Sequence, residues 1–325
     1  MKDDLVLICG DGGVKGGFIA GAVTALFHHF PNELNRIKII AASSASVGSM
    51  CYLISHGLNH PGRQIWTREL SSKKFLNVES LSSLFKSEEL YNLDYMAYEI
   101  FKKKYPLDEK KINGGNPKFY FPVQNYDKMT VEFFSNSSEN SFVRDGVEIP
   151  KHNIRNYNIY ELIKAAGAAP FIYDKCIKIS NANYMDAATI EPFTFDLPGM
   201  KGRRKIVILT KSDKPIRQAI TYFLLGTLWP LFVNPFRKFH FKREIYRQYA
   251  KKPKVLRSLF NKLSSTRETD GDYLLITPTR KLGGLFHNDL QSLQQNFQHG
   301  EEVVKLNLEP IRSFFENGKL ISFKR

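Results

Sequence analysis

Two turns near the start of the sequence combine the residue types that acyl transfer requires. The first turn, residues 10–17, reads Gly-Asp-Gly-Gly-Val-Lys-Gly-Gly and follows the apolar run 5–9. The second, residues 42–46, reads Ala-Ser-Ser-Ala-Ser and follows the mostly apolar run 37–41. A glycine turn between a strand and a helix directs backbone N–H groups at one point, which favours bound negative charge. A serine in a sharp turn after a strand presents its hydroxyl, so the two turns together offer a nucleophile and an oxyanion site.

Each turn alone has a simpler interpretation. The first is not a dinucleotide fingerprint, because Lys15 stands where the third glycine is needed, and not a P-loop, because Gly16 rather than Ser or Thr follows that lysine. It could be only a tight connection between a strand and a helix. Ser44 could likewise be a helix N-cap, since Ala42 and Ser46 stand where a nucleophile elbow has its glycines.

The position of the nucleophile has two alternatives. Ser46 also fits a Ser-x-Gly pattern, with Gly48 as its glycine. The apolar strand ends at residue 40 or 41, so Ser44 falls in the turn, whereas Ser46 falls in the first turn of the following helix. We therefore favour Ser44 as the nucleophile.

A third segment gives the two turns a common context. Residues 165–171 read Ala-Ala-Gly-Ala-Ala-Pro-Phe, and residues 184–188 read Tyr-Met-Asp-Ala-Ala. The order of these features resembles that of the patatin-like phospholipases. A glycine-rich turn with a basic residue comes first, a serine turn follows about thirty residues later, and an Asp followed by small residues comes last. The resemblance covers nearly the whole chain and is weakest over residues 213–245.

The resemblance implies a mechanism and a set of site residues. It implies a Ser44–Asp186 dyad in which the carboxylate is the base and no histidine takes part, so that a serine esterase forms an acyl-serine intermediate. The backbone of Gly12, Gly13 and Val14 would form the oxyanion hole, and Lys15 could add positive charge beside it. The implied substrates are phospholipids or lysophospholipids, and no cofactor or metal is expected; whether a protein activator takes part is left open.

Several residues depart from the family pattern. Asp11 replaces the first glycine of the usual Gly-Gly-Gly, and Ala42 and Ser46 replace the elbow glycines. Ala187 and Ala188 follow Asp186 in place of glycine. These departures keep open a catalytically impaired member that binds a lipid or a partner. A Ser-His-Asp triad is also left open, although none of the eight histidines has a context that marks it as a base.

The net charge of +15 has a local origin. Residues 237–262 contain ten Lys or Arg and one acidic residue, and the uncharged, aromatic-rich run 218–236 precedes them. An apolar segment beside a basic helix suits an anionic membrane surface, so 218–262 is the predicted membrane contact. Five basic residues of this segment are expected to contribute to that contact: Arg243, Arg247, Lys251, Lys252 and Lys254. A buried core helix with a solvated basic face is the alternative, and a nucleic-acid partner is not expected because no reading motif is present.

Cysteine usage and the N-terminus bear on the compartment. The three cysteines have no pair spacing, so no disulfide framework is expected. The N-terminus enters the first predicted strand at once, so no signal peptide is expected. We expect a cytoplasmic protein with peripheral membrane association, with export independent of a signal left open.

Alternating patterns define the fold class. Strands are predicted at 4–9, 36–41, 118–124, 130–134, 175–180, 204–209 and 272–277. Helices are predicted at 17–29, 46–57, 61–70, 88–104, 158–167, 243–263 and 286–316, with loops at 108–118 and 135–153. This order predicts an α/β fold with a parallel-rich central sheet flanked by helices and a helical, basic C-terminal region. We expect a catalytic core at 1–212 and a C-terminal region at 213–325, whose apolar and basic segment is 213–264.

Overall fold

A mixed sheet forms the centre of the molecule. The computed structural model describes residues 4–76, 89–173, 175–211, 241–265, 272–283, 288–318 and 321–322. Within these residues the strands are β1 Leu5–Cys9, β2 Ile37–Ala42, β3 Lys118–Asn125, β4 Thr130–Ser135, β5 Ser141–Arg144, β6 Val147–Asn153, β7 Ile177–Ile179, β8 Ala182–Asp186, β9 Arg204–Ile208, β10 Tyr273–Ile276 and β11 Ile321–Ser322. They are ordered β11-β10-β9-β1-β2-β3-β4-β6-β5, and β8 pairs with both β3 and β7.

Most neighbouring strands run parallel. From β11 to β3 every pair in the sheet is parallel, whereas β4 and β8 both run antiparallel to β3. The predicted parallel-rich sheet is therefore confirmed. Parallel strands place their carboxyl ends at one edge, where α/β proteins build their sites.

Helices cover both faces of this sheet. They are α1 Gly16–His29, α2 Pro31–Leu34, α3 Ser46–His56, α4 Gly62–Thr67, α5 Glu109–Asn113, α6 Ile159–Gly167, α7 Arg243–Ser265, α8 Leu290–Lys305 and α9 Leu308–Asn317, with a π-helix at Tyr95–Lys104. Leu5 and Leu7 of β1 face the larger core, whereas Val6 and Ile8 face a second core that includes Leu256 of α7. Burial on both faces explains why β1 is apolar without alternation.

The structure corrects several predicted segments. Residues 135–153, predicted as a loop, contain the hairpin of β5 and β6. Its turn is Asp145-Gly146, and both residues have positive φ, +50° and +77°; this is the Asp-Gly signal of a two-residue hairpin turn. The predicted helix 286–316 is two helices, α8 and α9.

Three further segments differ in detail. The predicted helix 88–104 is a π-helix over Tyr95–Lys104. The predicted helix 61–70 is divided into α4 and a 3₁₀ turn at Glu69–Ser71. The predicted loop 108–118 contains α5, whose first turn is capped by the Asp108 side chain accepting from the Lys111 N–H.

The C-terminal region contributes to the same sheet and helix layers. β10 extends the sheet beside β9, and α8 packs along α1. The apolar run 218–236 lies outside the described residues, and the proposed boundary after residue 212 stays a prediction. Of the helices in the described segments, none combines the length and apolar character that a bilayer crossing needs.

The crossing of α1 and α8 depends on glycine. A Cβ on Gly21 would overlap the carbonyl oxygen of Phe297, and one on Gly300 would overlap that of Phe18. At Gly17, on the same helix as Gly21, the nearest atom would be at 3.6 Å, an ordinary contact. The backbones of the two helices are therefore in contact at Gly21 and Gly300 but not at Gly17.

We predict that Gly21→Ala lowers the free energy of unfolding by about 1–3 kcal/mol, because α1 and α8 must move apart. Gly17→Ala is the matched control and should be neutral or stabilising by up to about 1 kcal/mol, since alanine favours the helix. Urea unfolding of both variants measures the difference. Equal stability of the two variants would contradict this close helix crossing.

Candidate active site

Strand β3 brings the predicted nucleophile and base together. Its first half pairs with β2, with Ala41 opposite Tyr120. Its second half pairs with β8, with Asp186 opposite Val123. β2 and β8 therefore point at each other along the same edge of β3. Ser44 follows the end of β2 by two residues and meets Asp186, the last residue of β8.

Ser44 and Asp186 are joined directly. The Ser44 Oγ donates a hydrogen bond of 2.6 Å to Asp186 Oδ2, and the Ala188 N–H donates to the other oxygen, Oδ1, at 2.8 Å. Both side chains are buried. Ser44 has a φ of +56°, a strained conformation for a residue with a Cβ and the one found at nucleophile elbows.

Ser46 has a different role from Ser44. Its Oγ accepts from the Ser43 N–H at 3.0 Å and lies within hydrogen-bond distance of the carbonyls of Ser43, at 2.8 Å, and Cys9, at 3.0 Å. The hydroxyl thus ties the serine turn to the end of β1. Because these bonds hold it among backbone groups, Ser46 stabilises the turn in the place of a family glycine.

The glycine turn lies beside the serine turn. Its entry is anchored by the N–H groups of Gly10 and Asp11, which donate to Ile208 and Pro192. Gly13 has a φ of +53°, a conformation that glycine adopts without strain. Within the described part of the chain, the N–H groups of Gly12 and Gly13 donate to no backbone carbonyl. They are therefore suitable donors for an oxyanion.

One cavity of about 420 Å³ joins these elements. Its lining includes all the predicted site residues: Gly12, Gly13, Val14, Lys15, Ser44 and Asp186. Most of its other wall is aromatic or aliphatic, as in Trp66, Phe75 and Phe101. No histidine belongs to the described lining, and the described residues hold no group of three His, Cys, Asp or Glu that could bind a metal.

A cluster of charged residues in the same wall was not predicted from the sequence. Asp11 accepts from the Lys211 ammonium at 2.7 Å and from that of Lys252, on α7, at 2.9 Å. Burial alone would raise the pKa of Asp11, but the two lysines outweigh burial and lower this pKa to about 2. The Asp that replaces a family glycine therefore remains ionised, and its ion pairs connect β1 to α7.

The environment of Asp186 suits a base. Burial raises the pKa of its carboxyl to about 6, although the hydrogen bonds from Ser44 and Ala188 and the charge of Lys252 lower it. At neutral pH the carboxyl is mostly ionised, and its pKa is close enough to neutrality to accept and return a proton.

Comparison with known proteins identifies a family for this chain. Residues 7–198 match the family described as Patatin-like phospholipase. The chain therefore belongs to the patatin-like phospholipase family, whose members are lipid acyl hydrolases.

One solved structure similar to the chain is that of VipD from Legionella pneumophila, with 12% sequence identity and a TM-score of 0.44. The similarity covers 93% of this chain and 66% of that one, so this chain spans just under two thirds of that protein's length. No curated protein matches the sequence significantly.

We predict that the two serines respond differently to alanine substitution. Ser44→Ala should abolish labelling by a fluorophosphonate, because the hydroxyl that faces Asp186 is lost. Ser46→Ala should keep the label on Ser44 and lower the free energy of unfolding by about 1 kcal/mol, because buried hydrogen bonds at the turn are lost. Peptide mapping locates the label; a label on Ser46 would overturn the assignment.

Proposed function

We propose that the protein is a lipid acyl hydrolase of the phospholipase A or lysophospholipase type, with Ser44 and Asp186 as its catalytic dyad. The observation that carries the proposal is the 2.6 Å hydrogen bond from Ser44 Oγ to Asp186 Oδ2 in the wall of a largely apolar cavity. A nucleophile with its base supports ester cleavage, and the apolar lining supports a fatty acyl chain.

The first half of the reaction transfers the acyl group to the enzyme. Ser44 Oγ attacks the ester carbonyl carbon while its proton passes to Asp186 Oδ2. The negative charge on the carbonyl oxygen is stabilised by the N–H groups of the Gly12–Val14 turn, with Lys15 adding positive charge. Asp186 then gives the proton to the leaving alcohol oxygen, and the acyl-serine remains.

The second half releases the fatty acid. Water loses a proton to Asp186 and attacks the acyl-serine carbonyl, the same oxyanion site stabilises the tetrahedral intermediate, and Asp186 returns the proton to Ser44 Oγ. The bond from Ala188 N–H to Asp186 Oδ1 keeps Oδ2 directed at the serine through both halves.

The catalytically impaired alternative rests on the departures from the family pattern. Ala42, Ala187 and Ala188 are buried, and Ser46 makes the bonds described above. These substitutes leave the Ser44–Asp186 contact intact, which favours the active enzyme. Absence of both turnover and serine labelling in the wild-type protein would favour a lipid-binding or partner-binding role instead.

The basic helix α7 supports an anionic membrane surface as the partner. Its outward side exposes Arg243, Arg247, Lys251, Lys254 and Arg257. Its inward side packs on the molecule through Ile245, Tyr249 and Leu256. Lys252, expected to contribute to the membrane contact, is instead only 4% exposed and faces inward. We include peripheral attachment to anionic lipid, on the cytoplasmic side, in the proposal.

We predict that Asp186→Asn lowers turnover of a soluble short-chain ester by about 10²–10⁴-fold, because the amide cannot accept the serine proton. Asp145→Asn, in the exposed hairpin turn, is the control and should retain full activity. Single replacement of His60 or His299 should have little effect. A histidine variant as inactive as Asp186→Asn would favour a triad.

We also predict preferential binding to vesicles that contain anionic lipid. Replacing Arg243, Arg247, Lys251 and Lys254 with Gln should weaken sedimentation with such vesicles strongly, since each basic residue contributes about 1 kcal/mol, and added salt should weaken the wild-type protein too.

The matched control removes the same number of charges from other exposed positions: Lys38, Lys102, Lys103 and Lys110. This variant should bind vesicles nearly as well as the wild type. Both variants should hydrolyse a soluble ester normally. Equal loss of binding in both would show that net charge, and not α7, attracts the protein.

A further inference from the structure

Four charged groups with little solvent exposure lie in one wall of the cavity: Asp11, Lys211, Lys252 and Asp186. The Lys252 ammonium donates a hydrogen bond to Asp11. Its positive charge also lowers the pKa of Asp186. Among these four groups, two are cations and two are anions when Asp186 is ionised. When Asp186 holds the serine proton, the group has an excess of positive charge at the moment an oxyanion forms nearby.

The place of Lys252 on α7 is unusual for a lysine. Lysines are rarely buried unless they are paired, and Lys251 and Lys254 on the same helix are exposed. The helix is fixed around it: the Tyr249 hydroxyl donates to the Pro170 carbonyl at 3.1 Å, and Tyr249 packs against Phe171 with ring centroids 4.6 Å apart. The ammonium is therefore held at the cavity wall by tertiary packing.

We propose that Lys252 is a positioning residue that keeps Asp186 ionised and ready to accept the Ser44 proton, and that Asp11 limits this effect by sharing the same ammonium. The proposal rests on the proposed hydrolase function, because it concerns the base of that reaction.

The charged surroundings of Asp186 support this role. The serine turn presents Ser44; the glycine turn presents Asp11 and Lys15; the segment after β9 presents Lys211; and α7 presents Lys252 and the Tyr249 phenol. Among them, the Lys252 charge lowers the pKa of Asp186 and the Asp11 charge raises it, while burial raises it most. Removing the Lys252 charge and removing the Asp11 charge should therefore change the pKa of Asp186 in opposite directions, although the two side chains bond each other.

The test is the pH dependence of kcat/KM for a soluble short-chain ester, which avoids membrane binding. For the wild type, kcat/KM should fall as the pH drops through about 6, because protonated Asp186 cannot accept the serine proton. Lys252→Met should move this midpoint to higher pH by about one unit, because the opposite charge is lost. Asp11→Asn should move the midpoint to lower pH.

Two variants serve as controls. Lys252→Arg keeps the positive charge and should restore the wild-type midpoint more nearly than Lys252→Met does. Lys110→Met removes an exposed positive charge that does not line the cavity and should leave the midpoint unchanged. Thermal unfolding followed by circular dichroism establishes that each variant is folded.

A folded Lys252→Met with the wild-type midpoint would overturn the proposal, whatever its kcat. If Lys252→Met does not fold, Asp11→Asn decides: a lower midpoint supports the proposal, and an unchanged or higher one overturns it. An inactive wild-type protein that also resists the fluorophosphonate would instead refute the hydrolase function on which the proposal rests.

Discussion

The site depends on the way β3 is shared by two other strands. β2 pairs with its first half and β8 with its second half, from opposite directions. Since hydrogen-bonded strands lie about 5 Å apart in a fixed register, the ends of β2 and β8 must converge. This constraint turns two segments separated by 142 residues into a hydrogen-bonded pair, and the rest of the sheet holds β3 in place.

Burial then determines the electrostatics of the pair. A carboxylate removed from water is destabilised unless other groups compensate. For Asp186 the compensation comes from the Ser44 hydroxyl, the Ala188 N–H and the charge of Lys252, and it is incomplete, so the pKa rises. For Asp11 two direct ion pairs more than compensate. Two aspartates in one cavity thus differ in proton affinity because their partners differ.

The replaced family residues have structural consequences of their own. At the position of a family glycine, Ser46 forms hydrogen bonds with the backbone of Ser43. At the position of another family glycine, Asp11 adds a negative charge. That anion gives α7 a bonded contact with the glycine turn through Lys252. In this chain the basic helix, whose outer side we propose to bind anionic lipid, is therefore also a wall of the candidate active site.

Local sequence patterns predicted strands β1 to β4, β7, β9 and β10 and the serine turn, because apolar runs and small-residue turns are properties of neighbouring residues. Strand β8, which ends in Asp186, was not predicted. The Asp145-Gly146 turn is also a signal of neighbouring residues, but the hairpin that it predicts was assigned as a loop. The inward side of α7 could also be predicted: Ile245, Tyr249, Lys252 and Leu256 recur at helical spacing. That spacing does not predict which side chain Lys252 contacts. Its pairing with Asp11, and the convergence of β2 and β8 on β3, were decided only by the tertiary structure, because contacts between distant segments depend on how whole elements pack.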